Sequence, residues 1–119
     1  MSNVNQFQQL RKGSTVLLVL SVLQDVPRYG YQIMREVERR SDGYFNITAA
    51  LLYPTLHRLD KDGLIRSEWR EEEGKHRRKY YTITQSGQRA LHEYTRECRT
   101  FFDKLFVTIE PLSTLAEEK

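Results

Sequence analysis

Cysteine is almost missing from this chain: Cys98 is the only one in 119 residues. No disulfide can form within one chain, so an oxidising compartment is not needed to hold the fold. Three Pro and six Gly are too few for a collagen-like or linker-rich chain. The longest apolar run, residues 16–23, is broken by Ser21 and is far shorter than the roughly 20 residues a membrane span needs. No signal-peptide pattern is present. The expectation is a cytoplasmic protein without membrane contact.

Catalytic and metal-binding patterns are missing as well. His57, His76 and His92 fall on three separate segments, with no cysteine or carboxylate at ligand spacing, so no metal site is expected. There is no phosphate-cradling glycine loop and no Ser/His/Asp set, so the residues support neither an enzyme nor a bound cofactor. Cys98 falls on an apolar helical face without a neighbouring base, which suits packing rather than nucleophilic or redox chemistry.

What is present fits one compact domain: 39% of residues are hydrophobic and 29% charged, with a net charge of only +3. The distribution of that charge says more than its total. Residues 1–83 carry 14 Lys+Arg against 10 Asp+Glu, and residues 84–119 carry 5 against 6. The basic excess therefore sits in the front two-thirds.

Val4, Phe7 and Leu10 recur at helical spacing in a short segment ending near Gly13. Ser14 and Thr15 are placed to cap a second helix that stops before Pro27. Arg28-Tyr29-Gly30-Tyr31 then leads into a helix over residues 32–40, with Ile33 and Val37 as its buried stripe. Thr48 caps the next helix, which runs to Asp62 with Gly63 just beyond it. Residues 64–70 and 79–84 alternate and are rich in Ile, Trp, Tyr and Thr, which predicts a β-hairpin around the charged tip 71–78. Thr84 caps a last helix expected to end near Ile109, before Pro111. The fold class is mainly α with a small β-hairpin: a winged helix-turn-helix followed by a long C-terminal helix. Residues 1–84 are expected to form the N-terminal helix and winged helix-turn-helix, and residues 85–119 the C-terminal helix and tail, a division into DNA-binding and dimerisation parts for which the exposed faces argue next.

Between Thr48 and Asp62, Leu52, Leu56 and Leu59 fall within about 60° of one another on a helical wheel and must face the core. The opposite face then carries Ala50, Pro54, His57 and Lys61, flanked by Tyr53 and Arg58. It is small near the start, where backbone must approach base edges, and basic beyond, where side chains reach phosphates. Pro54 lies past the first turn, removes the bond to the Ala50 carbonyl and predicts a local bend. The hairpin tip adds Lys75, Arg77, Arg78 and Lys79, point charges suited to phosphates or a minor groove. Glu71, Glu72 and Glu73 oppose them, and only a separation of the two arms would turn the acidic one away. Tyr29 and Thr48 complete the DNA-facing set, and Tyr29 and Tyr31 suit packing and hydroxyl anchoring rather than catalysis. Of Tyr80 and Tyr81, one faces inward and one outward. A winged-helix module that binds another protein with the same face is the alternative reading of these residues.

In the last helix Leu91, Tyr94, Cys98, Phe101, Leu105 and Ile109 step by three or four residues, close to a coiled-coil seam, with Phe102 and Phe106 widening the stripe. A helix over residues 85–109 is roughly 37 Å long at 1.5 Å per residue, whereas a body of about 80 residues is only about 30 Å across. Its far end overshoots. Phe101, Phe102 and Phe106 would bury on the order of 500 Å² against a second chain, and Phe7 and Leu10 can pack on the same end. An aromatic-lined gap there, with Phe7, Phe101 and Phe102 in its wall, is a candidate effector site.

The segments 10–13 (Leu-Arg-Lys-Gly), 28–31 (Arg-Tyr-Gly-Tyr), 52–59 (Leu-Tyr-Pro-Thr-Leu-His-Arg-Leu), 62–65 (Asp-Gly-Leu-Ile) and 78–84 (Arg-Lys-Tyr-Tyr-Thr-Ile-Thr), with Gly87, follow one another along the chain. Together they resemble a PadR-type bacterial transcriptional regulator, over roughly residues 10–91. The resemblance also accommodates Pro54, since a proline after this tyrosine is usual in that family. It implies a homodimeric repressor on a palindromic operator in double-stranded DNA, released by a small aromatic or amphipathic effector. By position, Tyr53 and its neighbours would read or clamp DNA, and Lys75, Arg77 and Lys79 would hold phosphates. The single C-terminal helix resembles the shorter branch of the family. Some small members stack a drug on a tryptophan in that helix, but here Trp69 lies in the hairpin instead.

Overall fold

The computed structural model describes residues 3–72, 74 and 76–118, with side chains described between Gln6 and Glu110. Among these residues five helices and three short strands follow one another as α1 (Asn3–Gly13), α2 (Thr15–Val22), β1 (Arg28–Tyr29), α3 (Gly30–Arg40), α4 (Ala49–Lys61), β2 (Ile65–Arg70), β3 (Arg78–Ile83) and α5 (Gln85–Glu118). This is the winged helix-turn-helix with a long C-terminal helix that the sequence predicts.

The core forms where the apolar stripes of three helices meet the inner face of the sheet. Val19 and Leu20 of α2, Ile33 and Val37 of α3, and Leu52, Leu56 and Leu59 of α4 pack with Ile65, Tyr81 and Ile83. Leu91 of α5 joins this cluster, so the seam residue nearest the start of that helix is buried by its own chain. Gly87 sits just before it because a side chain there would run into the Leu64 carbonyl and the Ile83 side chain. Thr84 caps α5: its hydroxyl accepts from the Gly87 N–H at 3.0 Å and donates to the Gly63 carbonyl at 2.7 Å.

Three expectations are corrected. A third strand exists: β1 pairs antiparallel with β3 through Arg28↔Tyr81 and Tyr29↔Tyr80, giving the order β1-β3-β2. Consequently α3 starts at Gly30 instead of residue 32, with Gln32 turning back to accept from the Tyr29 N–H at 3.2 Å. Ser14 is the residue before α2, but its hydroxyl donates backward to the Leu10 carbonyl at 3.1 Å and makes no cap bond. Finally, α5 passes through Pro111 and reaches Glu118. The proline deletes one N–H, and the carbonyl it frees belongs to Val107, which is exposed and free to turn to water. The molecule measures 67 × 29 × 23 Å, so α5 does overshoot the winged body.

Candidate nucleic-acid interface

Two elements present their outer surfaces on the side of the sheet where α4 packs. On α4, the Thr48 hydroxyl accepts from the Leu51 N–H at 3.3 Å and fixes the helix start. Beyond it Ala50, Tyr53, Pro54, His57, Arg58 and Lys61 are all exposed, opposite the buried Leu52, Leu56 and Leu59. The helix runs unbroken through Pro54. The carbonyl that Pro54 leaves free is that of exposed Ala50, and Thr55 donates its hydroxyl to the Leu51 carbonyl at 2.8 Å.

Tyr53 is held by a residue far away in sequence. A Cβ on Gly30 would collide with the phenol end of Tyr53, so the glycine that opens α3 is the floor under this ring. The tyrosine is half exposed and half wedged. Burial pushes the phenol of neighbouring Tyr81 up from its ordinary value, with the Tyr53 phenol adding to the effect.

The wing is tied to α4 by a hydrogen bond from the Ser67 hydroxyl to Asp60 Oδ2 at 3.1 Å. Register then decides where the wing's charges point. Ile65↔Ile83, Ser67↔Tyr81 and Trp69↔Lys79 share the face that packs on the core. Past the edge of the core that face continues as Trp69, 55% exposed, with the Arg77 guanidinium 5.2 Å and the Lys79 ammonium 5.9 Å from its ring centroid. The sequence does not flag Trp69 as a site residue, because only the register places it between two cations on the α4 side.

The other face of the sheet carries a different set. Arg78 lies 4.6 Å over Tyr29, Arg70 lies 4.5 Å over Tyr80, and the two tyrosine rings meet edge to face at 5.3 Å. The Tyr80 hydroxyl donates to Glu72 at 2.6 Å, and this bond, more than burial, pushes the phenol up from its ordinary value. One acidic residue of the tip is thus drawn to the face opposite Trp69. Of the residues expected to meet DNA, the α4 set, Arg77 and Lys79 come together on one side, while Tyr29 and Arg78 lie on the other. Lys75 and Glu73 lie outside the described residues.

Beyond Leu91, the seam of α5 is uncovered. Tyr94, Phe101, Leu105, Phe106 and Ile109 are exposed, as are Phe7 and Leu10 of α1, while Cys98 and Phe102 are half-buried. Phe102 meets Phe101 edge to face at 5.2 Å and stacks near Phe106 at 6.1 Å. A groove of about 520 Å³ runs between α1, α2 and α5, walled by Leu10, Leu17, Tyr94, Cys98, Phe101 and Phe102. Phe7 is not in its wall.

A winged body with an exposed polar helix and a cation-flanked wing is widespread among DNA-binding proteins, so the family rests on comparison. Residues 19–93 match the model of the transcriptional regulator PadR-like family. The chain belongs to that family. As a PadR-family protein it is a transcriptional regulator rather than an enzyme. It is 34% identical over 89 residues to a Mycobacterium tuberculosis transcriptional regulator, covering 75% of this chain and 79% of that one. Among solved structures it is similar to a PadR family transcriptional regulator of Eggerthella lenta, at 36% identity and a TM-score of 0.80 over 90% of this chain and 91% of that one. It is also similar to Bacillus subtilis PadR in complex with operator DNA, at 25% identity and a TM-score of 0.61. That match covers 67% of this chain and 45% of the longer PadR chain. No helix among the described residues is long and apolar enough to cross a membrane.

Proposed function

We propose that this PadR-family regulator represses transcription as a homodimer on a palindromic operator. In this reading α4 enters the major groove with Ala50, Tyr53, His57 and Lys61 toward base edges and backbone. Trp69, Arg77 and Lys79 of the wing meet the adjoining sugar-phosphate. Residues 1–84 make up the DNA-binding part, and residues 85–119 pair the two chains through Tyr94, Cys98, Phe101, Phe102, Leu105, Phe106 and Ile109, joined by Phe7 and Leu10. A small aromatic or amphipathic effector in the groove between α1, α2 and α5 would shift how the two bodies are held and release the operator.

The observation that carries the DNA reading is the sorting of the wing's charges: Arg77 and Lys79 gather over an exposed indole on the side of α4, and Glu72 is drawn to the other side. The test follows from the sorting. Replacing Arg77 and Lys79 together by Ala should lower the slope of log K against log[salt] by about 1.8 for each chain, or about 3.6 for the dimer at about 0.9 per phosphate, on operator and random DNA alike. The paired change Arg70→Ala with Arg78→Ala, on the opposite face, should leave the slope nearly intact. The fluorescence of Trp69, the single tryptophan, should change on DNA binding. Equal slopes for both pairs would remove the sorting argument, and indifference to DNA at 50 mM salt would favour a module that binds protein with the same face.

A further inference from the structure

The C-terminal turn of α1 ends beside the start of α4, and the space between them is a groove of about 670 Å³. Its wall includes Arg11 and Lys12 of α1, Tyr44 and Asn46 of the segment before α4, and Thr48 and Ala50 at the start of α4. Among the described residues no carboxylate lines it. Three other grooves of the molecule each carry glutamates: Glu93 and Glu97 along α5, Glu36 and Glu38 along α3, and Glu97 again between α1 and α5. Among the described residues no carboxylate pairs with Arg11 or Lys12. Arg11 is instead held 5.2 Å over the Tyr44 ring and donates to its hydroxyl at 3.3 Å. That contact fixes the guanidinium without neutralising it, and five donors are more than one hydroxyl can use.

We propose that this groove seats a phosphodiester of the operator backbone next to the bases that α4 faces. The inference rests on the reading of α4 as the helix that meets DNA. Thr48 and Ala50 belong both to the groove and to the exposed face of α4, so a duplex laid on that face passes its backbone across the groove. Two unpaired cations, the Tyr44 and Thr48 hydroxyls and the Asn46 amide then line the seat of an anion at the start of α4. Arg11 and Lys12 become DNA contacts contributed by α1, on the far side of α4 from the wing.

The test is binding of operator and random duplexes between 50 and 200 mM salt by the full chain, by Arg11→Gln with Lys12→Gln, and by Arg11→Lys. The double variant should lose about 1.8 for each chain from the salt slope, equally on both duplexes, and Arg11→Lys should retain the slope. Lys12 is exposed and lends only its backbone carbonyl to Thr15, so Lys12→Gln alone, expected to lose about 0.9 for each chain, guards against a folding defect in the double variant. If the unaltered protein binds DNA and both Gln variants keep its slope, this proposal alone fails. If the unaltered protein binds no DNA at 50 mM salt, the reading of α4 fails and takes this one with it. Inorganic phosphate and benzoate, titrated into the DNA-free protein while the Asn46 and Ala50 amides are followed by NMR, distinguish the source of the anion. Saturable binding of either, together with an unchanged DNA slope, would assign the groove to a free anion and overturn the proposal.

Discussion

The inner stripe of α4 and the outer half of α5 are written in the same helical periodicity, yet they have opposite fates. Leu52, Leu56 and Leu59 are at most 2% exposed, whereas Phe101 is 56%, Phe106 45% and Ile109 49% exposed. Periodicity specifies which face of a helix is apolar, but what covers that face is set by reach. The whole molecule is 67 Å long and only 29 Å by 23 Å across, and among the described residues the outer part of α5 beyond the groove with α1 and α2 is left exposed. Contiguous exposed aromatic surface of this kind is what the proposed pairing of two chains would cover.

The largest expected effects test that contrast directly. Leu52→Ala should destabilise the protein by about 2–5 kcal/mol, because it leaves a cavity in a core that cannot close over it; a smaller fall in the urea midpoint would mean that the core is loosely packed. Phe101→Glu with Phe106→Glu should leave helical circular dichroism nearly intact and, for the proposed dimer, halve the mass in solution to that of one chain. A dimer that survives both charges would move the interface elsewhere and break the comparison.

Two glycines sharpen it at a smaller scale. At Gly87 an added Cβ meets the backbone carbonyl of Leu64, and at Gly30 it meets the phenol end of Tyr53. A carbonyl in a packed turn has no room to give, so Gly87→Ala should cost about 1–3 kcal/mol as overpacking does. Tyr53 is half exposed and its ring can swing outward. Gly30→Ala should therefore cost less than about 1 kcal/mol in thermal melts but weaken operator binding, since the ring leaves its place on the face of α4. If both substitutions lower the melting temperature equally, Gly30 is a core position and does not position Tyr53.

The same distinction between local pattern and distant partner explains what was legible in the sequence. The α4 helix could be read because everything that makes it lies within sixteen residues: the Thr48 cap, the Leu52, Leu56 and Leu59 stripe, and Gly63 after its end. The two wing strands could be read from their alternation, and Tyr81 is indeed the buried one of its pair. Strand β1 could not, because two residues carry no period and their partner lies fifty positions away in β3. Pro111 misled for a related reason. A missing N–H ends a helix only where the freed carbonyl has no other partner, and exposure of Val107 is a property of the fold. At the candidate interface, residue types gave the exposed face of α4, but the separation of Arg77 and Lys79 from Arg78, and the position of Trp69 between the first two, depend on cross-strand register.

The smallest expected effect belongs to the winged body alone. Where the turn after α2 meets α3, Glu36 accepts hydrogen bonds from Arg39 at 2.6 Å and Arg40 at 2.7 Å, with Arg28 3.9 Å away. These bonds hold its carboxyl at about 2, below the usual 4.5. Asp25, which shares Arg28 and Arg40, is also lowered, first by a backbone hydrogen bond and then by those two charges. Because the folded carboxylate of Glu36 binds its proton less readily than the unfolded one, its contribution is complete above pH 4.5 and is lost as the pH falls toward 2. The urea midpoint should therefore fall between those limits, and Glu36→Gln should flatten part of the fall, with Asp25 supplying the remainder. Added salt should shrink the difference between the two proteins, since the arginines on Glu36 face water and are screened. Identical pH profiles for the two would show that the arginines gather around Glu36 without stabilising the fold. A difference should leave the mass in solution at neutral pH untouched, because the cluster joins elements of the body and lies away from the exposed seam of α5.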